Sequence, residues 1–274
     1  MKRILLTFLF IGTFLVSCLA SERYISLAPS TTEILFALGL GKEIVGVSSF
    51  CNYHEEANSK VRIGDFSRPN IEMIIALKPD YIFCTGLEQA TIVRELRELN
   101  LKVYVADPAN FAELFSSIEE IGKITGKNNE AEALVRKMKD DIDIVSAKVK
   151  ALSAERRVKV FVEIWHEPLM TAAKGSFVDE LITLAGGINI AHNLIRPYCN
   201  FSPEKVISLN PDCIILAYMD KEMPLKLVQQ RFGWNKIEAV KNGRVFNDIN
   251  PDILLRPGPR ITEGLKELYK KLYP

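Results

Sequence analysis

Glu72-Met-Ile-Ile-Ala-Leu77-Lys-Pro79-Asp80-Tyr-Ile-Phe83 returns 132 residues later as Glu204-Lys-Val-Ile-Ser-Leu209-Asn-Pro211-Asp212-Cys-Ile-Ile215. Both fit Glu-x-aliphatic-aliphatic-x-Leu-x-Pro-Asp followed by an apolar run. The residue before proline is disfavoured in the helical region, so each copy reads as a short helix that stops at its proline and hands over to a buried strand. Asn70 and Ser202 stand where caps belong, and Glu72 and Glu204 fall in the first turn, where negative charge complements the helix dipole.

A looser correspondence precedes each copy. Ser30-Thr-Thr-Glu33 leads into Ile34-Leu-Phe-Ala-Leu-Gly39, and Ser176-Phe-Val-Asp179 leads into Glu180-Leu-Ile-Thr-Leu-Ala-Gly186-Gly187. Each reads as a capped amphipathic helix stopped at glycine. Strands are expected before both, at residues 23–27 and 158–164. Each half then alternates strand and helix, the pattern of a parallel sheet with helices on its faces. The expected fold class is α/β, with one lobe over residues 21–108 and a second over 156–274.

Residues 109–155 differ in texture. One helical pattern covers 111–125 and a longer one 129–152, with a stripe of Ala131, Leu134, Met138, Val145, Val149 and Leu152 among Lys, Asp and Glu. A helix of that length extends about 36 Å at ~1.5 Å per residue. The reading is a pair of bridging helices, the second a rigid rod that joins two lobes across a ligand cleft; periodicity alone also allows that rod to pack on one lobe.

Residues 1–20 are read as a signal peptide. Lys2 and Arg3 precede an apolar stretch from Ile4 to Val16, long enough for an export signal and short of the ~20 residues of a membrane span. Leu15-Val16-Ser17-Cys18 suits lipidation of Cys18, while Cys18-Leu19-Ala20 suits ordinary cleavage, and both stay open. The expected location is the periplasm or the outer face of the cell membrane, with membrane contact only through a lipid anchor or a membrane partner.

The whole chain of 274 residues carries 35 Lys+Arg against 34 Asp+Glu. That balance gives no basic excess for nucleic acid to meet, and nucleic acid is excluded as the main partner. No Gly-x-Ser-x-Gly elbow and no phosphate-cradling glycine loop is present, so a binding protein is expected and not an enzyme. After the leader, Cys51, Cys84, Cys199 and Cys213 remain, at spacings unlike CxxC metal or redox sites.

Arg23-Tyr-Ile-Ser-Leu-Ala-Pro29-Ser-Thr-Thr-Glu33, Val45-Gly-Val-Ser-Ser-Phe50-Cys-Asn-Tyr53, Asn70-Ile-Glu72 to Leu77-Lys-Pro79-Asp80, and Arg256-Pro-Gly-Pro-Arg260 together resemble the substrate-binding proteins of ABC importers for cobalamin, haem and ferric siderophores, and most of all the cobalamin-binding members. The resemblance runs in order from Arg23 to the C-terminus. It implies two Rossmann-like lobes joined by a long helix, with a corrinoid held between them as transported ligand, no resident cofactor and no structural metal. It also implies delivery to a permease dimer with its ATPase subunits.

The family's ligand-facing aromatics fall on Phe50, Phe66, Met170 and Tyr198, and its cleft Asp and Arg on Asp252 and Arg256. One family tryptophan falls on Thr85, a departure from the pattern. Rigid apolar plates with a few polar groups are suited to gripping a flat macrocycle. An ion pair between Asp252 and Arg256 is compatible with that use. The family's two permease-docking glutamates fall on Glu72 and Glu204, one per half.

His54, His166 and His192 complete the list of metal-competent side chains. His166 stands at the end of the second half's first strand and is the candidate axial ligand for haem iron or corrinoid cobalt; none has a partner at metal-helix spacing. Cys51 and Cys199 are expected in cleft loops of opposite lobes. Two other readings stay open: haem or ferric-siderophore binding on the same fold, and an exported redox or metallocluster protein using the cysteines.

Overall fold

The computed structural model describes residues 21–218, 225, 228 and 230–274; the leader and Cys18 lie outside the described residues. Strands β1 (Tyr24–Ser26), β2 (Ile44–Val47), β3 (Val61–Arg62), β4 (Tyr81–Cys84) and β5 (Val103–Val105) form a parallel sheet in the order β3-β2-β1-β4-β5. Their connections carry α1 (Pro29–Ala37), α2 (Ile71–Ala76) and α3 (Ala90–Glu98). Side chains alternate between two cores, Tyr24 and Phe83 facing one, Ile25, Ile82 and Cys84 the other, as the two-residue period of a strand requires.

Helices α4 (Phe111–Ile124) and α5 (Asn128–Lys150) lead to a second, six-stranded sheet. It contains β6 (Lys159–His166), β7 (Leu169–Ala172), β8 (Ile188–Asn189), β9 (Tyr198–Asn200), β10 (Cys213–Leu216) and β11 (Val245–Phe246), in the order β11-β10-β6-β7-β9, with β8 beside the start of β6. The expectation of parallel strands holds for β6, β8, β10 and β11, but β7 runs antiparallel to β6, and β9 to β7. Two residues, Glu167 and Pro168, join β6 to β7, and so short a link can only turn the chain back on itself. The helices of this lobe are α6 (Phe177–Leu184), α7 (Pro203–Leu209), α8 (Glu238–Lys241), α9 (Asp252–Leu255) and α10 (Ile261–Leu272).

The duplication read in the sequence is repeated contact by contact. The Asn70 side chain accepts from the N–H of Met73 at 3.0 Å, and that of Ser202 from Lys205 at 3.2 Å. The inward residue of each short helix is Ile74 in α2 and Val206 in α7, the same place in the motif. Both helices end before their prolines at a left-handed residue, Lys78 and Asn210, each with φ +46°. Each aspartate then fastens the next strand to the first strand of its sheet: Asp80 accepts from the N–H of Arg23 at 2.8 Å, and Asp212 from Lys159 at 2.8 Å.

Helix α1 departs from expectation. It begins at Pro29, has no side-chain cap, and buries Ser30, Thr31, Thr32 and Glu33 as fully as its apolar residues, so it is neither capped by Ser30 nor amphipathic. Thr31 and Thr32 each lie 2.7 Å from the hydroxyl of Ser26, which in turn donates to the carbonyl of Ala28 at 3.0 Å. A buried hydroxyl network satisfies a helix start that solvent or a cap would otherwise serve.

Helix α5 spans 23 residues, about 34 Å. It packs on α4 and then along α6 and α10 of the second lobe. One apolar core is continuous through all of these, from Leu35 of α1 and Leu38 just after it through Ile118, Val135 and Met138 to Leu181 and Leu265.

Candidate functional site

The loop after β2 offers Phe50 to solvent, 57% exposed, while its neighbour Cys51 is sealed inside. Thr32 lies 3.0 Å and Ser48 3.1 Å from the Cys51 sulfur, and the Arg62 guanidinium donates to the carbonyls of Ser48 and Cys51 at 2.9 and 2.7 Å. The loop is thus pinned from below and from one side, and the aromatic ring at its crest is held out. Burial pushes the Cys51 thiol up from its ordinary value. Cys51, expected in a cleft loop, presents no thiol to solvent: its sulfur anchors the loop from within.

Phe66 follows β3 on a turn in which Asp65 accepts from the N–H groups of Ser67 and Arg68. A fully buried side chain sets its height. The Gln89 amide donates to the carbonyls of Phe66 at 2.8 Å and Leu27 at 3.0 Å, and accepts from the N–H of Thr85 at 2.9 Å. One residue therefore ties the loops after β1, β3 and β4 into a single rim. Thr85, where the family pattern has an aromatic, hydrogen-bonds Asp107 at 3.1 Å.

On the second lobe, Trp165 stands opposite Met170, and Tyr198 opposite Ala172, which is two residues along β7 from Met170. Residues directly opposite one another share a face, so Trp165, Met170 and Tyr198 stand on one face of the sheet. Trp165 is 44% and Tyr198 45% exposed. The Trp165 indole N–H donates to the carbonyl of Glu167 at 2.8 Å, which fixes the plane of the ring. Trp165 was not among the residues matched to the ligand; its place at the end of the second lobe's first strand is the signal that marks it.

His166, next along β6 and paired with Leu169, sets its ring 5.3 Å from that of Trp165 at the hairpin tip. It also packs edge-on to Tyr218, with ring centroids 6.1 Å apart. Nearby, the fully buried Glu163 receives both Arg231 nitrogens at 2.6 Å and the Tyr218 hydroxyl.

The two lobes meet at Arg256 and Arg260. Arg256 pairs with Asp252 at 2.9 Å and donates to the Asn52 side chain of the first lobe at 2.7 Å. Arg260 holds both oxygens of Glu33 and lies 3.6 Å over the Tyr53 ring. Arg256 and Asp252 thus stand where the loop after β2 approaches the second lobe, within one loop of Phe50. Glu72 and Glu204 are exposed, each in the first turn of its helix. The Ser202 hydroxyl holds the Glu204 carboxyl below the ordinary carboxylate range.

Cys84 and Cys213 are buried and their thiols pushed up to about 12 by burial; Cys199, on β9, is half-buried. Among the described residues no group of three or more His, Cys, Asp or Glu is arranged to hold a metal ion.

Residues 25–250 match the family model described as periplasmic binding protein. The chain is 34% identical over 258 residues to the ABC transporter substrate-binding lipoprotein YvrC of Bacillus subtilis, covering 92% of this chain and 80% of that protein. Among solved structures, it is similar to a possible iron-binding (periplasmic solute-binding) protein from Staphylococcus epidermidis, with 31% identity, a TM-score of 0.81, and coverage of 92% of this chain and 99% of the other. It is also similar to the periplasmic vitamin B12 binding protein BtuF of Vibrio cholerae, with 26% identity, a TM-score of 0.77, and coverage of 92% and 96%.

Proposed function

The chain belongs to the periplasmic binding protein family, and on that premise we propose that it captures cobalamin or a related corrinoid between its lobes and hands it to an ABC permease dimer with its ATPase subunits. The observation that carries the reading is the set of solvent-facing plates at strand ends: Phe50 from the first lobe, and Trp165 with Met170 and Tyr198 on one face of the second. Such rings lose little side-chain entropy on binding and suit the faces of a flat macrocycle. Arg256, beside Asp252 at the joint, supplies a fork of donors for carbonyls or carboxylates at the guest's edge. Trp165 compensates for the aromatic absent at Thr85. The protein binds and releases, and performs no chemistry.

Glu72 and Glu204, one exposed carboxylate on each copy of the duplicated motif, are the docking charges, a pairing that suits a partner made of two like subunits. Lipidation at Cys18 is favoured over a free soluble form by the likeness to a lipoprotein. His166, whose ring lies beside that of Trp165, reaches a metal centre if the guest lies across the hairpin tip.

The experiment is a titration of the protein with cyanocobalamin, cobinamide, hemin and ferric siderophores, read by quenching of Trp165. Saturable one-to-one quenching by the two corrinoids is expected. Binding of hemin or a siderophore with no response to either corrinoid would assign the protein to the iron branch of the same importer class, for which the Staphylococcus epidermidis likeness speaks. A redox or metallocluster role is disfavoured by the burial of Cys51, Cys84 and Cys213, since thiolates are costly in apolar surroundings.

A further inference from the structure

Asn52 and Tyr53 lie side by side on the loop that presents Phe50, and each is taken by a different arginine of the second lobe. Nη1 of Arg256 donates to the side-chain oxygen of Asn52 at 2.7 Å, and Nη2 pairs with Asp252 at 2.9 Å. Glu33 stands 3.8 Å from Nη1 of Arg256 and is itself held by Arg260 at 2.6 and 2.9 Å. Two arginines thus face two acids, and none of the four side chains is more than 18% exposed. The cluster is neutral as a whole.

Asn52 differs from the other members in being exposed, and the fold does not need its contact. The loop is already fastened by the buried Cys51 and by Arg62, which donates to the carbonyls of Ser48 and Cys51. What Asn52 brings to Arg256 is a neutral carboxamide oxygen, the same acceptor that the amide arms around a corrin ring carry. An amide arm can replace it acceptor for acceptor. A carboxylate cannot, because it would add a third negative charge to a balanced cluster with little water to screen it.

We propose that Asn52 is a built-in stand-in for the guest: its carboxamide holds Arg256 in the empty protein, and a carboxamide arm of the guest displaces it. The inference rests on the corrinoid reading and deepens it. The edge group that Arg256 accepts is narrowed to a neutral amide, and Asp252 is the residue that enforces the choice. Releasing Asn52 also removes one of the two ties between the Phe50 loop and the second lobe, so the amide is read at the step that lets the Phe50 ring settle on the guest's face.

The test uses the protein without residues 1–20 and measures dissociation constants by equilibrium dialysis for hemin, for cyanocobalamin and for its separated monocarboxylic acids, in each of which one propionamide arm has become a carboxylate. Asn52→Ala and Asp252→Asn are compared with the unaltered protein, and the thermal midpoint of each is recorded. At least one monoacid should bind roughly tenfold more weakly than cyanocobalamin, and Asp252→Asn, which gives Arg256 an unbalanced positive charge, should close that gap. Asn52→Ala should tighten cyanocobalamin binding by roughly three- to tenfold, because the guest no longer has to displace a hydrogen bond, with the midpoint of the empty protein almost unchanged. If every monoacid binds like cyanocobalamin, or if Asn52→Ala leaves the affinity unchanged or weakens it, the stand-in is wrong and the corrinoid reading survives. If hemin binds and no corrinoid does, to the unaltered protein or to either variant, the corrinoid reading fails and the stand-in with it.

Discussion

Glu33 of the first lobe is gripped through both carboxylate oxygens by Arg260 of the second, Nε to Oε2 at 2.9 Å and Nη2 to Oε1 at 2.6 Å. The acid is almost fully buried, and Arg256 stands 3.8 Å from the same Oε1. Removing one partner strands a buried charge, which costs far more than the pair contributes. Arg260→Met should lower stability by about 3 kcal/mol, and adding Glu33→Leu to it should recover most of the loss. Urea unfolding of the two variants checks both statements; equal stabilities would mean that the pair is solvated.

The aspartates of the duplicated motif make an independent test. Asp80→Ala and Asp212→Ala each remove one charge-assisted hydrogen bond at the start of a central pair of strands, and each should cost about 1 kcal/mol. Their effects should add, because the sites lie in different lobes and share no partner. Urea unfolding of the singles and the double reports this: additive losses in one transition are expected, and two transitions, each moved by only one of the substitutions, would show that the lobes unfold independently.

Ligand affinity should respond to Trp165 without a change in folding. The ring is 44% exposed, hydrogen-bonded to Glu167 and tilted against the His166 ring, so Trp165→Ala should weaken corrinoid binding by about tenfold with little change in the thermal midpoint. The exposed reporter ring is lost in this variant and only the buried Trp234 remains, so ligand absorbance after equilibrium dialysis is the measurement. An unaltered dissociation constant would remove Trp165 from the ligand face.

Thiol chemistry gives a fourth prediction. In the protein without residues 1–20, Ellman's reagent at pH 8 should label one cysteine, the half-buried Cys199, and four once guanidinium unfolds the chain. Cys84 and Cys213 rise from 9.0 to about 12 on folding, because burial disfavours the thiolate. The folded state therefore holds these protons more tightly than the unfolded one. Their contribution to stability is complete below pH 9 and drains away as pH climbs toward 12. A midpoint that does not fall over that interval would contradict the burial.

The sequence made the repeated helix–proline–strand unit plain because every part of it is local: caps three residues from their targets, a proline that stops a helix, an apolar run that follows. The β6–β7 hairpin escaped because its turn is only Glu167 and Pro168 and its return strand, Leu169–Ala172, is four residues long, too brief for alternation to be read. Ser30 to Glu33 looked like an exposed cap since those residue types usually are; their burial depends on Ser26, Cys51 and Arg260, which lie up to 227 residues away along the chain. Gln89 was illegible for the same reason. A lone glutamine ahead of a helix gives no hint that three distant loops converge on it. The motifs around Phe50 and Arg256 place them in their loops, whereas the shared face of Trp165, Met170 and Tyr198 needed the strand register that only coordinates supply.

The lengthwise packing of α5 on α6 and α10 has a mechanical corollary. The core that fastens the rod to the second lobe also takes in Leu35 and Leu38 of the first, so any swing of the first sheet, like a door on a jamb, has to slide apolar packing along the rod. The pivots then lie at the strand-to-helix passage before Phe111 and at the Arg260 latch, and the swing is limited by how far a guanidinium can travel before it lets go of its acid.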